Sequence, residues 1–340
     1  MNRLEILTQP FVETLRNGER RPRALWRLAA CGLLFFVASA FFTVPVLLVF
    51  AGAGALGGGA QPPQGELLLV SSIASLFAAL VTLAVAGRFL DRRPLGDFGL
   101  RLTRGWWLDL GFGLALGAAL MTAIFLIELG IGWVTVTGSF ETGGSPFLLA
   151  ILGPVVLFLC VGVYEELLFR GYGIKNISEG LGGVIGVRGA IITAWLLTSV
   201  LFSLLHIPNP NSTLVSTTNI ALAGLMLGAG YVLSGRLAIP IGLHITWNFF
   251  QASVYGFPVS GLDSARASFV SVEQGGPETW TGGPFGPEAG LLTVFATLSG
   301  IALTWLWVRL RGGKASLHPL LAARPEDPGA ERETASTVSQ

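Results

Sequence analysis

The sequence predicts an all-α fold: a polytopic membrane helix bundle of about eight transmembrane helices with both termini cytoplasmic. Three observations predict it. Charged residues make up 12% of the 340 and hydrophobic residues 52%, with a mean hydropathy of +0.67, where a soluble domain carries about 25% charged residues. Apolar runs recur at lengths near the ~20 residues that cross ~30 Å of hydrocarbon. Of the 21 basic residues, all but Arg266 fall in segments that alternate crossing would leave on one side, and that bias marks the cytoplasmic face.

The runs lie near 27–52, 67–87, 107–129, 146–169, 189–206, 214–234, 237–256 and 289–309. The first follows an arm, residues 1–26, that carries Arg3, Arg16, Arg20, Arg21 and Arg23, with Arg27 just beyond it and Trp26 at the boundary. Ala51-Gly52-Ala53 resembles a cleavage site, but the run exceeds the ~7–15-residue core of a signal peptide, so a retained anchor is expected. After the second run come Arg88, Arg92, Arg93, Arg101 and Arg104. After the fourth come Arg170, Lys175 and Arg188, and Arg236 follows the sixth. Trp106, Trp107, Trp305 and Trp307 suit an interfacial aromatic belt, and Asp109 and Glu128 read as interfacial ends of the third run. Residues 27–145 thus form an N-terminal group of helices and 146–256 a core, followed by an external Gly/Pro-rich loop at 257–288 and a last helix at 289–311. The tail 312–340, rich in Pro, Ala, Glu and Ser, reads as disordered.

A net charge of +1 leaves no footprint for nucleic acid. Arg outnumbers Lys 19 to 2, which with the abundant Gly and Ala reads as the coding bias of a GC-rich bacterial genome and places the chain in a bacterial plasma membrane. Cys31 and Cys160 both lie in apolar runs and read as small buried hydrophobes. The spacing of Gly224 and Gly228 is that of close helix packing.

Polar residues in the second half carry the chemistry. Glu165 and Glu166 end a charge-free stretch from Pro146 to Tyr164, and between Thr142 and Leu262 the one other acid is Glu179. A carboxylate in an apolar segment pairs, faces a bundle interior or does chemistry. Arg170 stands four residues after Glu166 and shares its helical face, whereas Glu165 points about 100° away, so one glutamate is paired and the other available. His206 follows Phe202 by four and precedes Pro208-Asn209-Pro210-Asn211; His244 and Asn248 stand four apart on a third run. A carboxylate with a histidine holds and deprotonates water, and a His with an Asn donates to an oxyanion. Glu165, His206 and His244 equally suit a divalent metal such as zinc with an open position. Taken singly, a His in a span is more often a packing residue and an Asn is more often helix–helix glue.

Glu165-Glu166-x-x-x-Arg170, Phe202-x-x-x-His206 and His244-x-x-x-Asn248 resemble, in order and spacing, the three motifs of the CAAX-protease and bacteriocin-processing family of intramembrane proteases. The resemblance covers roughly residues 146–256. It implies an endopeptidase that hydrolyses membrane-associated peptides or proteins. Glu165 would be the base and His206 would help hold the water. His244 and Asn248 would stabilise the oxyanion, with Glu166 and Arg170 in supporting positions. The family is variously described as metal-dependent and metal-free; no HExxH zinc signature occurs here.

Depth counting sets one expectation against this. At 1.5 Å per residue, Glu165 lies about 15 Å from Lys175 and His244 about 12 Å from Arg236, but His206 lies about 27 Å from Arg188, near the opposite surface. For His206 to meet Glu165, the fifth helix must begin deeper or be offset from the fourth, with the Pro-Asn-Pro-Asn break lining a wet cavity.

Two other classes compete with the protease. One is a catalytically silent immunity or scaffold protein, disfavoured because every motif residue is intact. The other is a proton-coupled transporter, disfavoured because the first half lacks a matching set of polar, broken helices. A serine protease would need its Ser deep in a span, but Gly138-Ser139 and Gly144-Ser145 lie outside the runs, and no pair of membrane aspartates exists. The oligomeric state is not encoded in these features.

Overall fold

The computed structural model describes residues 21–56, 64–142, 144–263, 267–312 and 314–325. Its long helices are α1 (Ala24–Leu56), α2 (Gln64–Val85), α3 (Arg104–Gly130), α4 (Leu152–Glu166), α5 (Lys175–Leu204), α6 (Leu214–Ser234), α7 (Ala238–Phe249) and α8 (Leu291–Gly312). The arm before Arg21 and the tail beyond Pro325, expected respectively at the membrane surface and without structure, lie outside the described residues. The protein is a mostly helical, multi-pass membrane bundle. Among the described residues, six helical runs are long and apolar enough to cross: Ala24–Gly52, Gln64–Asp91, Arg104–Gly130, Phe147–Leu204, Leu214–Ser234 and Leu291–Gly312.

The division differs from the eight expected crossings in two places. First, α7 has 12 residues, about 18 Å of helix. It is buried in protein at Ile239, Ile241, Leu243, His244 and Trp247. Gly113 and Gly117 of α3 let the two helices touch, because a Cβ on either would overlap the α7 backbone at Ile239 or Leu243. Small residues at such crossings bring helix axes together where dispersion, rather than water exclusion, drives association.

Second, the helical path of α4 does not stop near residue 169, where the fourth apolar run ends. A π-helical stretch, Leu167–Ile174, joins it directly to α5, which breaks at Gly186 (φ 73°, ψ 163°). A Cβ disfavours that left-handed region. The contacts on either side of Gly186 are those of an antiparallel hairpin. The Phe169 and Phe202 rings lie 5.3 Å apart, and a Cβ on Gly173 would stand 3.1 Å from Thr198. Glu165 is 21 residues before Gly186 and His206 is 20 after it, so both lie about 30 Å along their arms. Lys175 and Arg188, used above as depth markers, are not matching ends of the two arms, which corrects the expectation that His206 lies far from Glu165.

Charged residues outside the motifs tie the bundle ends together. Arg21 and Arg27 reach Glu179 at 2.9 and 2.8 Å, Arg93 joins them, and Arg27 also pairs with Asp91 at 2.8 Å. Asp109 and Glu128, expected at the interfaces, are buried. Asp109 accepts from Arg236 at 2.9 Å and from Trp307 at 3.0 Å, and also pairs with Arg311. Glu128 accepts from Gln274 at 2.9 Å. Part of the tail expected to be disordered is ordered: His318 N donates to the Val232 carbonyl at 2.8 Å, and Lys175 and Arg93 donate to the Leu320 and Ala323 carbonyls.

The Gly/Pro-rich segment, expected as an external loop, also holds more structure than expected. Strand β2 (Ser268–Gln274) pairs antiparallel with β1 (Val134–Glu141), Val134 opposite Gln274 and Glu141 opposite Ser268. The Val-Thr-Val-Thr alternation at 134–137 is the period-2 signal of a strand. Both free cysteines are buried.

Candidate active site

Glu165, His206, His244 and Asn248 all line one cavity of about 700 Å³ whose remaining wall is largely apolar. It runs past Leu28 and Phe35 of α1, Leu68 of α2, Leu157 of α4, and Trp247 of α7 to Ser260 and Glu288. Asn209, from the Pro-Asn-Pro-Asn break, also reaches it, in keeping with irregular backbone at membrane depth lining a chamber. Glu166 and Arg170 do not line the cavity and stand behind its wall.

The two glutamates occupy different environments. The Glu166 side chain is fully buried, whereas Glu165 keeps 15% of its side chain exposed. Arg170 Nη1 donates to Glu166 Oε1 at 2.8 Å. The same Arg170 donates through Nη2 to the Gly224 carbonyl at 3.1 Å and lies 4.5 Å from the Phe202 ring centroid. That guanidinium thus holds the α4 end, α5 and α6 together. Glu166 Oε1 also accepts from His244 Nδ1 at 2.8 Å, a partner that helical spacing did not point to because it comes from a distant helix. With Nδ1 so engaged, the His244 ring turns Nε2 towards Glu165 Oε2, 3.8 Å away. Tyr164 donates to the other Glu165 oxygen at 3.1 Å. Tyr164 was also not singled out from sequence; a tyrosine at a span end reads as packing.

His206 is oriented by its own helix end. Its Nδ1 donates to the Phe202 carbonyl at 2.7 Å, and its ring lies 4.7 Å from that of Phe202. A neutral imidazole with the proton on Nδ1 presents Nε2 as an acceptor. The π-helical turns Leu167–Ile174 and Phe250–Val254 flank the site on α4 and α7, as such turns often do at functional positions.

A scan of protein families matches residues 147–250 to the description "Type II CAAX prenyl endopeptidase Rce1-like". This segment is similar to CAAX-protease domains. It contains all seven motif residues and less than a third of the 340-residue chain. No curated protein and no solved structure matches the chain. Ser260 and Glu288, which also line the cavity, lie outside the matched segment.

The donors Glu165, His206 and His244 were tested as a metal set. Among the described residues, no three His, Cys, Asp or Glu side chains converge as a metal-holding group. His244 Nδ1 is already bonded to Glu166. That bond leaves His244 Nε2 free, as in a metal-binding histidine backed by a carboxylate, so it is the lack of convergence alone that separates these side chains from a three-ligand centre.

Proposed function

We propose that this chain is an intramembrane endopeptidase in which Glu165 activates water, with no step routed through a metal. The observation that carries the reading is the convergence of Glu165 from α4, His206 from the turn after α5, and His244 and Asn248 from α7 on one apolar chamber. A water accepts no proton there but gives one: it donates to the Glu165 carboxylate and to His206 Nε2. As its oxygen attacks the scissile carbonyl carbon, the proton passes to Glu165 and the carbonyl π electrons move to oxygen. Asn248 and the imidazolium form of His244, through Nε2–H, donate to that oxyanion. The tetrahedral species collapses, the C–N bond breaks, and Glu165 returns the proton to the leaving nitrogen. General-base action is worth about 10²–10⁴-fold and a well-placed oxyanion donor about 10²–10³-fold.

Glu166 and Arg170 act by support: one carboxylate oxygen fixes both the guanidinium and the His244 ring. The apolar chamber suits a membrane-associated peptide or protein segment that reaches the site from the lipid. The arginine-rich end is assigned to the cytoplasm of a bacterial cell.

The test is cleavage of membrane-peptide substrates by protein reconstituted in liposomes, wild type against Glu165→Ala, His206→Ala and His244→Ala, with and without chelator. We expect activity that survives chelation and is lost in the Glu165 variant. Undiminished cleavage by Glu165→Ala would overturn the base assignment; loss on chelation restored by added zinc would overturn the metal-free route.

A further inference from the structure

His206 sits where helix gives way to loop, so its helix alone does not fix its place. A second clamp comes from the segment between α7 and α8. Asn209, three residues on, donates through Nδ2 to the Ser260 carbonyl at 3.0 Å. Ser260 in turn donates to Glu288 Oε2 twice, from its backbone N at 2.6 Å and from its hydroxyl at 2.9 Å. The adjacent Gly261 N donates to the Phe285 carbonyl at 2.8 Å. Phe285 packs in one cluster with Phe202, whose carbonyl takes the His206 Nδ1 proton.

Two features of this clamp ask for an explanation. Ser260 has φ 49°, a left-handed conformation that a non-glycine residue holds only when its surroundings over-determine it. Glu288 is buried, with 6% of its surface exposed, and burying a carboxylate is costly without compensating donors. Ser260 supplies two donors, beside the Gln251 side chain, so the strain and much of the compensation for burial meet in one contact. Glu288 also faces the chamber that His206 lines. Burial raises its carboxyl above the ordinary value, while the two Ser260 donors and nearby His206 act in the opposite sense.

We propose that Glu288 is a positioning residue for the hydrolysis: through Ser260 and Asn209 it holds the turn that carries His206 and so sets where Nε2 stands in the chamber. The inference rests on the protease reading for its catalytic consequence, but its structural half stands apart. It assigns a role in the reaction to a residue well outside the 147–250 segment. It also accounts for a buried acid that the motif residues leave unused.

The test uses the full chain with ¹⁵N-labelled histidine, which is tractable because the protein has three histidines. Glu288→Ala is expected to move the His206 side-chain resonance and leave those of His244 and His318 in place, which reports an intact fold. It is expected to lower kcat about 10-fold with KM within about 2-fold, the cost of a misplaced catalytic group. Glu288→Gln keeps an acceptor for Ser260 and is expected to restore kcat to within about 3-fold of wild type. If Glu288→Ala does not fold, Ser260→Ala, which removes one of the two donors, is expected to move the same resonance by less. An unmoved His206 resonance in a folded variant, or unchanged kcat, overturns the inference. Should the wild type cleave nothing while His206 still moves, the positional claim stands and the protease reading fails.

Discussion

Glu166 and His244, 78 residues apart in the chain, are joined by a 2.8 Å hydrogen bond at the same carboxylate oxygen that Arg170 holds. One buried atom therefore fixes a guanidinium and an imidazole at once. Truncating one member of such a set strands the other charge in the bundle, at about 3–5 kcal/mol. Glu166→Ala is therefore expected to lower stability by that order and to lose activity with it. Glu165→Ala, at a partly exposed carboxylate, is expected to remain folded and lose activity alone. Thermal unfolding beside cleavage rates separates the two; equal destabilisation by both would contradict the division.

Asn248 faces the chamber one helical turn from His244. Asn248→Ala is expected to reduce kcat about 10²–10³-fold with little change in KM, as removal of an oxyanion donor does. An effect confined to KM would instead make Asn248 a substrate-binding residue.

Two glycines on α3 give opposite expectations. A Cβ on Gly117 would overlap the Leu243 carbonyl and the Thr246 hydroxyl, whereas Gly111 has nothing within 4 Å. Gly117→Ala is expected to push α7 aside, with about 1–3 kcal/mol lost and impaired cleavage. Gly111→Ala is expected to be neutral or to stabilise by about 0.5–1 kcal/mol. A pair of melting temperatures decides it, and a silent Gly117→Ala would show that the crossing does not place His244.

The strap Leu317–Ala323 is expected to loosen in acid. Burial, reinforced by Lys175, Arg236 and Arg101, brings His318 down from 6.5 to about 4. The docked form thus binds fewer protons than the released one. The strap's stability is complete above about pH 6.5, and it declines as pH falls towards about 4. Hydrogen exchange of residues 317–323 across that range measures it, and His318→Gln should flatten the dependence.

Much of the helical bundle and the chemistry-bearing residues was legible because both rest on local patterns. Apolar run length marks a span, and a four-residue spacing puts Glu166 beside Arg170. What was not legible depends on residues far apart. Nothing local says that the helix carrying Glu165 runs on to Gly186, so a surface drawn at Lys175 misplaced His206. The partnership of Glu166 with His244 likewise needs the α3–α7 crossing to exist first. Hydropathy passed over β1 and β2 because a two-stranded ribbon has neither the length nor the apolarity of a span. Glu288 gave no sign at all: it sits among Gly and Pro, and only the folded chain shows what it accepts from.

The chamber is walled on one side by α1 and α2, through Leu28, Gly32, Phe35, Leu68 and Ser72, none of which belongs to the segment that holds the reacting groups. On the proposed protease reading, part of the wall that a substrate would meet is housed in a stretch of chain separate from the reacting groups. Enlarging or narrowing those outer side chains would remould what fits without touching the groups that act on it. A single hydrolytic apparatus could in this way be fitted, by drift in two lipid-facing helices, to a succession of different clients.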